Sequence, residues 1–67
     1  MFSGKIKWFN FKKGFGFIIP DNNEKDVFIH ITALREANLR RIEDGQAVFY
    51  ELKEEKGKIC ATHIVLK

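Results

Sequence analysis

The stretch that decides the fold is Lys13-Gly14-Phe15-Gly16-Phe17-Ile18-Ile19-Pro20, followed after Asp21-Asn22-Asn23-Glu24-Lys25 and Asp26 by Val27-Phe28-Ile29-His30-Ile31. Both apolar runs repeat with a period of two, the signature of a half-buried strand. In the first run Phe15 and Phe17 share one face, and Gly16 and Ile18 share the other. In the second, Phe28 and His30 share a face, opposite Val27, Ile29 and Ile31. Pro20 stops the first run, and the Asp-Asn-Asn cluster after it is dense in turn formers. Two antiparallel neighbours joined by a tight connection follow from this pattern.

Working outward, Lys5-Ile6-Lys7 also alternates and reads as a strand running to about Asn10, with Phe11 to Gly14 as the connection. Thr32 to Asn38 holds helix formers behind Thr32 as N-cap, but is long enough only for one turn or a 3₁₀ segment. Leu39 to Gly45 is a long connection. Gln46 to Leu52 reads as a fourth strand, Glu54 to Lys58 as a charged turn, and Ile59 to Leu66 as a fifth strand. Five short strands with one interposed helical turn predict an all-β, five-stranded antiparallel barrel of the OB type over residues 1–67, as one domain. Closure also removes the exposed sheet edges that a chain without covering helices would otherwise carry.

The face assignment carries the functional reading. If the aliphatic sets of the two central strands point inward, Phe15, Phe17, Phe28 and His30 lie side by side outside. Exposing a phenylalanine forgoes roughly 1.5–3 kcal/mol of burial. A nucleobase stacked on such a ring returns about 1–3 kcal/mol. Two other arrangements compete: an aromatic core with Ile18, Val27 and Ile29 outside, or a sheet covered on both faces. Gly16 on the aliphatic face favours the first arrangement, because it suits a tight barrel interior. Simple alternation from Ile6 puts Trp8 inside, and a bulge in a strand that must curl would turn it out. The sequence pattern leaves Trp8 open between core and surface.

Composition supports a basic, aromatic working surface. The 67 residues carry a formal net charge of +3 and are 45% hydrophobic, too apolar for a disordered tail. Residues 1–20 contain Lys5, Lys7, Lys12 and Lys13 and no acid, together with six of the nine aromatic residues. The remaining residues hold eight basic and nine acidic side chains. Cations interleaved with π-faces suit a phosphate backbone with exposed bases. The plainer alternative is a soluble β-protein with a basic end. Cys60 is the one cysteine and cannot form an intrachain disulfide. No apolar run is long enough for a transmembrane helix, and Met1 to Lys5 lacks a secretory apolar segment, so the chain reads as cytoplasmic.

Lys13-Gly14-Phe15-Gly16-Phe17-Ile18 matches the start of the first ribonucleoprotein motif, and Val27-Phe28-Ile29-His30-Ile31 looks like the second. Their order is the reverse of that in RNA-recognition motifs, whose two helices this chain lacks. With the opening Gly4-Lys5-Ile6-Lys7-Trp8-Phe9-Asn10, and with Asp26, Gly45-Gln46 and Val48, the sequence resembles the bacterial cold shock proteins nearly end to end. The resemblance implies a five-stranded OB barrel that binds single-stranded RNA and DNA with weak sequence preference; a closed barrel of 67 residues needs no partner, so a monomer is expected. It also implies an RNA chaperone with effects on transcription termination and translation. It implies an exposed Trp8. Lys7, Trp8, Phe9, Asn10, Lys13, Phe15, Phe17, Phe28 and His30 match the family's binding positions. Lys7 and Lys13 would hold phosphates, the rings would stack bases, and Asn10 would bond a base edge or close the turn.

This sequence departs from the family at three places. Ile31 follows the motif histidine where the family usually has Phe, and Leu39 stands where the long loop usually has an aromatic residue. Ile59-Cys60 replaces the Pro-Gln that usually precedes the last strand. The first two changes keep apolar contact but remove a stacking face, so weaker binding is expected at one end of the groove. Arg40 and Arg41 flank Leu39 and would compensate through phosphates.

Other chemistries find no support. Gly14-Phe15-Gly16 lacks the third glycine of a dinucleotide fingerprint, since Ile19 stands there. Gly4-Lys5 and Gly57-Lys58 are each followed by isoleucine, so neither is a P-loop. Cys60, His30 and His63 lack zinc-ligand spacing, and no metal or cofactor is expected. Asp26 and His30 are four apart on one face, an ion pair at most. A protein-interaction module using the same barrel face is the main alternative to strand binding. A nuclease or deaminase would need a carboxylate cluster or metal site, and only Asp26 is near the aromatic face.

Overall fold

The computed structural model describes residues 1–67. Strands β1 (Phe2–Asn10), β2 (Phe15–Pro20) and β3 (Val27–His30) form an antiparallel meander. A short helix, α1 (Ile31–Glu36), leads through the long connection to the hairpin β4 (Ala47–Glu55) and β5 (Lys58–Leu66). The sheet closes as β1-β2-β3-β5-β4. The β1–β4 seam is antiparallel, while the β3–β5 seam pairs Phe28 with Cys60 and Ile29 with Ala61 in parallel. The expected OB-type architecture is therefore present, with one parallel seam in its closure.

Alternation places one aliphatic side chain after another in the barrel interior. Ile6, Ile18, Ile29, Leu34, Val48 and Tyr50 are fully buried, and Ala33, Ala61 and Ile64 complete the core. Each large aliphatic residue so buried contributes about 1.5–3 kcal/mol. Gly16 is buried opposite Phe9, and a Cβ there would lie 2.3 Å from the Trp8 carbonyl oxygen and 2.7 Å from Phe9 Cα. Only glycine lets β1 and β2 approach so closely.

Several element ends differ from the sequence reading. β1 begins at Phe2 rather than Lys5, because Phe2 to Lys5 pair with Tyr50 to Ala47 of β4. β3 ends at His30, and Ile31 opens the helix instead of closing the strand. The N-cap is therefore His30, not Thr32: the backbone N–H of Thr32 donates to His30 Nδ1 at 3.2 Å. An imidazole lone pair replaces the usual hydroxyl in satisfying a free helix-terminal donor. The β4–β5 turn is only Lys56-Gly57, both with positive φ (51° and 78°), so Glu54, Glu55 and Lys58 belong to the strands. Positive φ at both central residues is the requirement of a two-residue type I′ hairpin.

Helix α1 ends at Glu36 with Ala37 as its C-cap, and the next residue, Asn38, is left-handed with a φ of 63°. The Asn38 N–H donates to the Arg35 carbonyl at 3.0 Å and the Leu39 N–H to the Leu34 carbonyl at 2.8 Å. This is the Schellman arrangement, which brings the residue after the left-handed cap back onto the helix's last apolar turn. Leu39 accordingly packs against the core cluster that contains Leu34.

Candidate nucleic-acid interface

The outer face of β1, β2 and β3 carries a continuous group of rings. Phe17 is the register partner of Phe28, and Phe15 that of His30, so four ring-bearing side chains stand in two adjacent rows. Trp8 joins the first row through a bulge. Ile6 pairs with Ile18 and Trp8 with Phe17, so Lys7 is one residue too many on β1. The extra residue resets alternation and turns the indole outward. Ring centroids run 5.4 Å from Trp8 to Phe17, 5.6 Å from Trp8 to Phe15, and 5.9 Å from Phe28 to each of Phe15 and Phe17. His30 lies 6.3 Å from Phe28. Most contacts are edge-to-face, the geometry aromatic quadrupoles prefer, so each ring braces its neighbours.

This mutual bracing modifies the expectation of freely exposed phenylalanines. Trp8, Phe15, Phe17 and Phe28 are half-buried, and His30 is exposed. The rings shield one another's edges while the group as a whole faces outward. Cys60 continues the first row beyond Phe28, half-buried, with its thiol 3.6 Å from the Lys53 carbonyl. The sequence excludes Cys60 from an intrachain disulfide and from zinc-ligand spacing and gives it no place at the site. The parallel β3–β5 register, which no sequence signal encodes, brings it to the platform edge.

Charged groups surround the rings. Lys7 Nζ is 2.8 Å from the Asp26 carboxylate, and both side chains remain substantially exposed. Asp26 thus pairs with Lys7 rather than with His30, because the bulge projects Lys7 outward toward the start of β3. Lys13 is exposed in the β1–β2 turn. Asn10 closes that turn, its side-chain oxygen accepting from the Lys13 N–H at 2.9 Å while its carbonyl accepts from the Gly14 N–H at 2.7 Å. Arg40 and Arg41 are exposed in the long connection.

The remaining residues named from the sequence lie away from the platform. Phe9 packs partly into the core beside Gly16, on the opposite side of β1 from Trp8. Ile31 sits against Gly14, where its Cγ2 would lie 3.3 Å from an added Cβ, and its N–H donates to the Gly14 carbonyl at 2.9 Å. Leu39 is held by the core through the helix cap. His63 is exposed with a φ of 54°, its Nδ1 3.2 Å from Glu51, and makes no cluster with Cys60.

Comparison with known proteins agrees with this geometry. Residues 2–67 match the 'Cold-shock' DNA-binding domain. The chain belongs to the cold-shock domain family. It is 48% identical to a probable cold shock protein of Sinorhizobium fredii, over 96% of both chains. It is 45% identical to a cold shock-like protein of Rickettsia bellii, over 96% of this chain and 91% of that one. A cold shock protein of Rhizobium meliloti is 44% identical, over 96% of both. Membership in this family makes the protein a nucleic-acid-binding one, and the ring-bearing face of the barrel fits that role.

Proposed function

We propose that this cold-shock domain binds single-stranded RNA and DNA with little sequence preference and acts as a cytoplasmic RNA chaperone without catalytic turnover. The observation that carries the reading is the braced group of Trp8, Phe15, Phe17, Phe28 and His30 on one outer face, bordered by Lys7 and Lys13. Ring faces accept any base, since every base has a π-face, and each stack is worth about 1–3 kcal/mol. A duplex hides its base faces between neighbouring pairs, so the platform selects unpaired strand. Lys7, Lys13 and Arg40 supply phosphate contacts, with Lys7 leaving or sharing its Asp26 partner. Phe9, Asn10, Ile31 and Leu39 act by shaping the turn and barrel end beneath the strand.

Chaperone action follows from the same energies. Base-pair stacking in a duplex averages about 1.4 kcal/mol per step, comparable to one ring–base stack. Occupancy of an open strand therefore offsets the gain from re-pairing, without any chemical step. Such an effect on hairpins would alter termination of transcription and access of transcripts to translation. One protein per strand segment suffices, so the monomer is the acting form.

The test is Trp8 fluorescence titrated with oligo(dT) and oligo(U) at two salt concentrations, with a duplex as control. Single strands should quench strongly and the duplex weakly, with affinity falling gently as salt rises. A protein that responds equally to the duplex, or whose affinity for a labelled strand is absent at low salt, would overturn this reading. A fluorophore–quencher RNA hairpin tests the chaperone step: the protein should hold it open at temperatures where it otherwise closes.

A further inference from the structure

The β1–β2 turn carries an aromatic residue that the platform does not include. Phe11 is 41% exposed, and its ring meets Phe9 edge-on at a centroid distance of 4.8 Å. Phe9 is in turn fixed against the core and against Gly16. The turn itself is tied at both ends by Asn10, through the Lys13 N–H and the Gly14 N–H. Phe11 is thus an exposed ring on a rigid mount, followed directly by the exposed Lys12 and Lys13. This is the same pairing of π-face and cation that marks the platform.

Its position gives the ring a purpose. The turn lies at the Phe15–His30 end of the platform, since Asn10 pairs with Phe15 and Phe15 with His30. Ile31, one of the two residues that lack a stacking face, abuts Gly14 of this turn. Leu39, the other, is drawn into the core. A strand that leaves the platform over Phe15 and His30 therefore meets no ring from α1 or the long connection. To continue, it has to pass around the β1–β2 turn, which carries Phe11 on the Phe9 side of β1 and then the exposed Lys12 and Lys13.

We infer that Phe11 is an additional base-stacking residue, extending the binding surface around the β1–β2 turn by one nucleobase of the single strand. This inference rests on the strand-binding reading above. It reassigns the weak end of the groove from a loss to a relocation.

The experiment compares wild type with Phe11→Ala, Phe11→Leu and Phe11→Tyr in the full chain, by Trp8 quenching with oligo(dT) of two lengths. The shorter, about four nucleotides, covers the platform alone, and the longer, about eight, reaches past it. Phe11→Ala and Phe11→Leu should weaken the longer strand by about five- to a hundred-fold and leave the shorter nearly unchanged. Phe11→Tyr should bind both lengths as wild type does. Phe11→Leu keeps apolar cover on Phe9, so it separates stacking from support of the fold. Unchanged affinity for the longer strand, or equal losses for both lengths, would overturn the inference while leaving the platform intact. Failure of wild type to bind either strand would overturn the strand-binding reading itself, and that result appears before any variant is made.

Discussion

Replacing Gly16 by Ala tests the packing on which the site stands. The added methyl would sit 2.3 Å from the Trp8 carbonyl oxygen, 2.7 Å from Phe9 Cα and 2.7 Å from Phe9 Cδ2. Two of these three atoms are backbone, so no rotamer change relieves the overlap. The β1–β2 seam must open by about 1 Å, and overpacking of this kind costs typically 1–3 kcal/mol. Loss of about two ladder hydrogen bonds adds about 1–3 kcal/mol. The reduced freedom of Ala in the unfolded chain returns about 0.4–1 kcal/mol. The net loss is about 1–6 kcal/mol, from a total that scales to about 3–10 kcal/mol for 67 residues. At about 4–8 °C per kcal/mol, the central value of about 3 kcal/mol should lower melting by roughly 12–24 °C. Gly57→Ala provides the comparison: its φ is 78° but nothing lies within 4 Å, so only the left-handed cost of about 1–2 kcal/mol applies. Circular dichroism melts of both variants decide the matter. A Gly16→Ala protein that melts within a few degrees of wild type, or above Gly57→Ala, would refute the account of the seam. Because the clash is with Trp8's own carbonyl, the surviving folded fraction should also show a shifted Trp8 emission.

Lys7→Gln should reduce the slope of log affinity against log salt by about 0.7, the amount released per phosphate contact on a single strand, as read from titrations at several salt concentrations. The Ser3 hydroxyl donates to Asp21 at 2.8 Å and, with Lys67 nearby, holds that carboxyl below its ordinary value of 3.8. A lowered folded value stabilises the fold above the unfolded value and is lost as pH falls through the folded one. Ser3→Ala should therefore raise the Asp21 titration midpoint seen by NMR and flatten the part of the protein's acid loss of stability that Asp21 contributes. Burial pushes the Tyr50 hydroxyl above its ordinary 10.0, with Asp21 and Glu24 adding to the effect. That contribution is complete below the unfolded value and fades as pH rises past it. Tyr50→Phe should flatten the alkaline fall in the urea midpoint between about pH 9 and 12.

The sequence was most legible where side-chain period and face coincide. Phe15 to Ile18 and Phe28 to Ile29 could be assigned both to strands and to faces, because β-branched and aromatic residues alternate without interruption there. Legibility failed where a lone backbone event decides the outcome. The Lys7 bulge leaves no compositional mark, so Trp8 could not be placed by counting. His30 looked like a strand residue only, since its capping role depends on where β3 stops. Glu54 and Glu55 read as turn because they are charged, yet they lie in a hairpin arm and are exposed. The parallel meeting of Phe28 with Cys60 joins residues 32 apart and arises only from closure of the barrel. Leu39 looked available to a ligand, and the helix cap took it inward.

The bulge at Lys7 means that the working face depends on the length of β1 as well as on its chemistry. Within β1, Trp8, Phe9 and Asn10 sit one step out of the alternation that Ile6 starts because of a single surplus residue. Deleting Lys7 would restore regular pleating with Trp8 still opposite Phe17 on the outer face, and would take away the cation that reaches Asp26. The surplus residue thus sets a cation and an indole, neighbours in the chain, on one outer face, where regular pleating would have sent them to opposite sides of the sheet.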